Sequence, residues 1–378
     1  MKQSTYAKQK LFLFDHLHKF KYSDTKYSLT KKKNLSVFAT IFSIFIKDLF
    51  NYDFTEQERI DLGDYLNSYQ DKNTGIFTEN ECDYSPNFYC KKCLQLTTLS
   101  MSALSILGIQ QRYKINHNIK NESQVFEFLD KVGVRKGRIG SGNFAMFLGI
   151  FLSQEKMLNP ENSLIDSWFE YHNRYYNKNN GFWTGGMRGQ SQWAYQNAVH
   201  QITIFKFWDK ELVNYKESVD MIIQHSDQNG TFALLPGGGA CWDYDAIHIL
   251  NFLGIKKGYR VEEIKRIFKK TYNHILSTKD DSGFCENNYV QNIKFLKDIN
   301  EFYYKGNPIS SILRLREFLD SRKSNFSHYP AWSNCPIKLS ESDLWSIWFR
   351  NLTLAEIENT MIDSKEWKFQ KFPGLGFF

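Results

Sequence analysis

The stretch Gln224-His225-Ser226-Asp227-Gln228-Asn229-Gly230-Thr231-Phe232 decides how the chain is read. An apolar helix end runs into a polar turn, a glycine and then an aromatic residue. The same succession recurs at Tyr69-Gln70-Asp71 to Gly75-Ile76-Phe77, at Tyr176-Asn177 to Gly181-Phe182-Trp183 and at Ser277 to Gly283-Phe284, with the glycines 106, 49 and 53 residues apart. The first interval is about two of the others, and Gly137 to Gly142 falls inside it as a degenerate copy. Asp, Asn and Gly end a helix by supplying left-handed conformations and local hydrogen bonds, while the aromatic packs the turn on its neighbour. A repeat of this length suits two helices.

Between the turns the segments alternate in character. Six are mostly apolar with small residues: 35–50, 94–107, 142–153, 194–208, 242–253 and 343–358. Six others, 55–70, 122–132, 162–176, 210–226, 260–277 and 308–321, space their apolar positions at helical intervals and carry charge elsewhere. A helix apolar nearly all round belongs inside, and an amphipathic one on the rim. The expected fold is therefore all-α, an (α/α)6 toroid of helical hairpins with Gly-aromatic turns, forming a single domain over 1–378. Residues 1–30 read as an N-terminal extension and 284–307 as an irregular insertion near the barrel mouth; two domains are the alternative. In this topology the inner helices start together at one end of the barrel, with free N–H groups and partial positive charge.

The bulk composition agrees with a packed protein: 42% of the 378 residues are hydrophobic and 24% charged. Aromatics reach 16%, which fits either drift in an AT-rich coding sequence or an aromatic lining able to hold a carbocation. The net charge of +7 is spread as Lys along helices, which suits solvated faces, an anionic substrate or a peripheral membrane contact. No basic-aromatic module of a nucleic-acid binder is present. Leu35 to Phe50 is too short for a membrane span, and the first residues lack a signal peptide's apolar segment, so the expected location is cytoplasmic, with membrane association as the variant. Oligomeric state is not legible. The six cysteines read as reduced thiols, although Cys82, Cys90 and Cys93 would hold a structural zinc if a fourth ligand came from elsewhere. No other cofactor motif is found: no Lys-Ser/Thr follows the glycine-rich loop as a nucleotide site requires.

The chemistry-bearing segment is Leu235-Pro236-Gly237-Gly238-Gly239-Ala240-Cys241-Trp242-Asp243-Tyr244-Asp245-Ala246-Ile247-His248. Its glycines serve as a turn, let the backbone approach a ligand, or form an anion nest. Asp243 and Asp245 are two apart, so at most one need face the cavity. Asp245 shares a helix face with His248, which makes an acid–base pair sterically available. Asp243 equally suits a helix cap. Other inner-helix starts add His200 as a candidate catalyst beside Asp245, Asp243 and His248, with Asn143, Cys241, Trp242, Asp343, Trp345 and Arg350 as substrate-binding candidates.

The recurring Gln/Asp-x-x-Gly-aromatic turns resemble the repeats of the prenyltransferase and squalene-cyclase superfamily over roughly residues 60–290. Asp243-Tyr244-Asp245-Ala246 resembles the DxDD acid motif of class II terpene cyclases, whose middle Asp protonates an alkene or epoxide; that role would fall on Asp245. Ala246 stands in place of the third Asp, so the hydrogen bonds that set the acid's strength would come from His248, Cys241 or His200. The DxC zinc pattern of protein prenyltransferase β-subunits is not reproduced, because Cys241 precedes Asp243. The resemblance implies an acid-initiated reaction on an isoprenoid-type substrate. The same architecture also resembles carbohydrate-active α/α barrels, in which Asp245, His200 or Asp343 would act on a glycan stacked on Trp345 or Trp348. A non-catalytic helical-repeat binding protein is the third reading.

Overall fold

The computed structural model describes residues 4–31, 35–79, 88–179, 181–183, 191–279, 283–294, 298–303, 308–323 and 326–374. Among them lie thirteen α-helices and no β-strand, only isolated bridges. In chain order these are α1 (Tyr6–Leu17), α2 (Val37–Leu49), α3 (Glu56–Asn67), α4 (Lys91–Leu107), α5 (Glu122–Val132), α6 (Ser141–Leu158), α7 (Leu164–Arg174), α8 (Ser191–Phe207), α9 (Tyr215–Gln224), α10 (Ala240–Ile249), α11 (Val261–Ser277), α12 (Pro308–Ser321) and α13 (Leu344–Ile362). A π-helical segment, Leu250–Ile255, prolongs α10.

The helices α2, α4, α6, α8, α10 and α13 each pack on the next, and α13 packs back on α2, which closes an inner ring. The apolar segments become this ring for a simple reason. Every residue of α2 is buried, so no face is left for water. The amphipathic helices lie outside, as α11 illustrates by burying Ile264, Ile267, Phe268, Thr271, Tyr272 and Ile275 and turning its Lys and Glu outward. No described helix is long and apolar enough to cross a membrane.

Successive hairpins are joined through the Gly-aromatic turns. Gly181 and Gly230 have φ of 69° and 74°, and a Cβ there would meet Ser218 N at 2.4 Å and Ile267 O at 2.9 Å. Both demands select glycine. Ser218 Oγ donates to Gly181 O and Thr271 Oγ1 to Gly230 O, each at 2.5 Å, so one bond type ties each turn to the next outer helix. Phe77, Phe182, Phe232 and Phe284 are all buried behind these turns.

Two segments hold more than their sequence pattern suggests. Residues 1–30 are not a mere extension, since α1 fills the outer place between the α2 end and α11. Tyr6 packs on Phe50 and Trp367, Thr5 bonds Glu358 of α13, and Lys279 just beyond α11 donates to Gln9. Its buried seam, Tyr6, Gln9, Leu13 and Leu17, has helical spacing, but the intervening Leu11, Phe12 and Phe14 obscure it. Conversely, 308–321 is the helix α12 yet no regular rim member. It packs on the 3₁₀ turn Ile299–Phe302, with Phe302 and Phe318 rings 4.9 Å apart, in a small second core shared with Val290, Ile293 and Leu339. The irregular segment at 284–307 thus continues through α12.

Candidate functional site

The starts of α4, α6, α8, α10 and α13 converge on a cavity of about 250 Å³, completed by the loop His328, Tyr329 and Ala331. From α4 come Lys91 and Gln95, from α6 Asn143, from α8 Gln196, Asn197 and His200, from α10 Cys241, Trp242 and Asp245, and from α13 Trp345. Behind Trp345, Phe42, Phe45, Trp348 and Phe349 pack with ring centroids 4.4–5.8 Å apart and close the cavity on that side.

Asp245 is 2% exposed, accepts from Gln196 Nε2 at 3.3 Å through Oδ2, and has no hydrogen-bond partner at Oδ1 among the described residues. Burial, aided by the negative charge of Asp243, raises its pKa well above the usual carboxylate range. That shift favours the neutral acid over the carboxylate. His200 bonds the carbonyl of Gln196 through Nδ1 at 2.7 Å. A carbonyl only accepts, so Nδ1 carries the proton and Nε2 the lone pair. Burial pushes its pKa down to about 4, which keeps the ring neutral. Among the described residues, both amide atoms of Gln95 and Nδ2 of Asn143 on this cavity are also buried without a hydrogen-bond partner. Lys91 adds an amine pushed down to about 8 by burial, and burial with the nearby Glu286 and Asp residues pushes the Cys241 thiol up.

Four candidates fall outside this cavity. Asp243 is fully buried and saturated, accepting from Arg350 Nη1 at 2.5 Å, Phe232 N at 2.8 Å and Gly239 N at 3.2 Å. Burial raises its pKa to about 6 while Arg350 pulls it down, which leaves an ion pair at neutral pH. Arg350 spends its second bond on the carbonyl of Glu286, so it anchors the glycine loop and does not reach a substrate in the cavity. Asp343 caps α13 by accepting from Ser346 N at 3.0 Å. His248 does not pair with Asp245 in any hydrogen bond; its Nδ1 lies 3.2 Å from Glu356 Oε2 and 3.4 Å from Tyr244 OH, at the next layer down. One turn of helix is enough to move it from the cavity to the core.

The glycine loop is explained by packing. A Cβ at Gly238 would lie 2.2 Å from Asp243 Oδ2, and one at Gly239 would lie 2.7 Å from Glu286 Oε1. The glycines make room for two buried carboxylates, so no anion nest is needed to account for them. The zinc expectation also changes. Cys90 and Cys93 are joined as a disulfide with Cα atoms 5.3 Å apart, a spacing that the first turn of a helix supplies, and Cys82 lies outside the described residues. Among the described residues no three His, Cys, Asp or Glu side chains converge as a metal set.

Gln95, Lys91 and the His328–Tyr329 pair were not singled out from the sequence. Gln95 carried a usable signal, a polar side chain one turn into an apolar inner helix. His328 carried none, since its place depends on how the irregular loop after α12 folds back.

The closed ring and its single-ended cavity define an α/α toroid. No protein-family model matches the chain, and no curated protein sequence matches it. Among solved structures, Candida albicans protein geranylgeranyltransferase-I complexed with GGPP is similar at 14% identity and a TM-score of 0.34, over 99% of this chain and 96% of that chain.

Proposed function

We propose that this chain is an enzyme that encloses a small polyhydroxylated molecule, of the size of one sugar ring, and performs acid–base chemistry on it with Asp245 as proton donor. The observation that carries this reading is the set of unmet hydrogen-bonding groups around the acid: Asp245 Oδ1, Asn143 Nδ2 and both amide atoms of Gln95. Each buried polar group left unpaired costs about 1–3 kcal/mol, so a ligand that satisfies them is strongly favoured over one that does not. Trp242 and Trp345 stand on the same cavity and offer apolar faces. A sugar ring has a matching division, with C–H faces for the indoles and hydroxyl edges for the carboxamides. The volume lies just below the usual range of about 300–1,000 Å³ for ligand pockets, in keeping with a compact substrate.

Acid strength points the same way. Burial and the Asp243 charge make Asp245 a weak acid, suited to donating to an oxygen that gains negative charge as a C–O bond breaks or an enolate forms. Protonating an alkene needs a far stronger acid. His200, neutral with a free lone pair on Nε2, supplies the complementary acceptor, so removal of one proton and delivery of another is within the reach of this pair.

The isoprenoid reading is favoured by one feature, the two indoles beside the acid, which would stabilise a cation by about 0.5–2 kcal/mol each. A ligand panel separates the two. Monosaccharides and sugar acids should quench tryptophan fluorescence and raise the melting temperature, and Gln95→Ala with Asn143→Ala should abolish both effects. Binding of short prenyl alcohols alone, unaffected by those substitutions, would reverse the choice.

A further inference from the structure

The first turn of α4 holds a feature that the cavity chemistry does not use. Cys90 is the N-cap of α4, half-buried, with its Sγ 3.3 Å from the Cys93 N–H, and Cys93 is 1% exposed. The two sulfurs are bonded to each other. Lys91 and Lys92 lie between them, Lys91 lining the cavity and Lys92 reaching Glu79 at 4.0 Å.

We propose that Cys90 and Cys93 form a reversible thiol–disulfide site at the rim of the cavity, one that takes a low-molecular-weight thiol as its partner and sets where Lys91 stands. Three observations carry it. The ring closed by the bridge spans only four residues, and a bridge stabilises less the shorter its loop, so this one has little structural value. The helix N-terminus and the Cys93 N–H both favour a thiolate at Cys90, which is what thiol exchange requires of a nucleophile and leaving group. The two sulfurs also differ in access. Cys90 meets the solvent while Cys93 is covered, so an outside thiol reaches Cys90 first.

The exchange balances without any other reactant. A thiolate attacks Cys90 Sγ, the S–S bond breaks, and the electron pair leaves on Cys93. A second thiolate then attacks the outer sulfur of the mixed disulfide, releasing Cys90 as thiolate and the small molecule as its own disulfide. Two thiols are oxidised and one protein disulfide is reduced. Lys91, whose backbone lies inside the bridged turn and whose stem passes over Gly140, shifts when that turn is released.

The test needs no knowledge of the substrate. Protein purified without reductant, denatured and treated with iodoacetamide, should carry the label on four of its six cysteines, and on all six after dithiothreitol, with the bridge mapped to Cys90 and Cys93. Native reduced protein should re-form the bridge in oxidised glutathione. Cys93→Ser should trap glutathione at Cys90, and Cys90→Ser should trap none at Cys93. Acetylation of Lys91 at pH 8 should differ in rate between the two redox forms and be insensitive to dithiothreitol in the double serine variant. Full labelling even after oxidised glutathione, or a bridge mapped to Cys82, would overturn the site; equal Lys91 rates in both forms would overturn its link to the cavity.

Discussion

The two ends of the same barrel treat buried carboxylates in opposite ways. At the helix-end side Glu358 is fully buried and accepts from Thr5 N and Oγ1, Tyr272 OH, Ser4 Oγ and Trp367 Nε1, all at 2.7–2.8 Å. Those five bonds fasten α1, α11 and the chain after α13 to α13 itself. At the helix-start side Asp245 is nearly as deeply buried, yet among the described residues it receives one long bond from Gln196 and none at Oδ1. Burial alone therefore does not distinguish structure from function in this chain. Saturation, together with a place on the cavity, sets the two apart: the satisfied carboxylate closes the ring, and the unsatisfied one is the group we propose to meet a ligand.

The contrast is broken most severely by Glu358→Ala, which strands several buried donors at once and should cost about 4 kcal/mol, read from urea unfolding. Arg350→Met ranks next, because it leaves Asp243 as an unpaired buried charge at a cost of about 3–5 kcal/mol. Adding Asp243→Asn to that variant should recover a good part of the loss. Recovery of nothing would show that the pair is not the reason for the glycine loop's conformation.

Asp245→Asn should act in the other direction. The folded-state pKa of Asp245 is raised, so the folded protein holds a proton that the unfolded chain releases once the pH passes the ordinary carboxylate value. This group therefore costs stability increasingly as pH rises from about 4 toward the folded pKa. The Asn variant should melt higher than the parent at pH 8 and match it near pH 4, while losing turnover. The smallest expected effect belongs to Gln95→Leu, which removes an unsatisfied buried amide and should leave stability within about 1 kcal/mol of the parent, yet abolish ligand binding.

Much of the ring was legible because helix burial is written in periodicity. The segment 122–132 is α5 residue for residue, and 260–277 differs from α11 by one position. The site was only partly legible. Asp245, Asn143, Cys241, Trp242 and Trp345 reach the cavity because a helix start in a toroid faces its centre, and His200 lines it from further along α8. Asp243 and Asp343 were harder, since a carboxylate that caps a helix and one that serves a ligand look alike until their partners are seen. Arg350 and His248 are turned to Asp243 and Glu356 and not to the opening, a matter of partners on neighbouring helices that pattern alone leaves undetermined. The role of α1 was hidden by the apolar Leu11, Phe12 and Phe14 between its seam positions, and His328 by the lack of periodicity in a loop.

The central claim is that Asp245 rests as a neutral acid in a cavity built for a ligand. Infrared difference spectroscopy of the parent against Asp245→Asn at pH 7 tests it most directly. A protonated carboxyl stretch present in the parent, absent from the variant and shifted on ligand binding is the predicted result. An ionised Asp245 at that pH, showing only a carboxylate band, would contradict it.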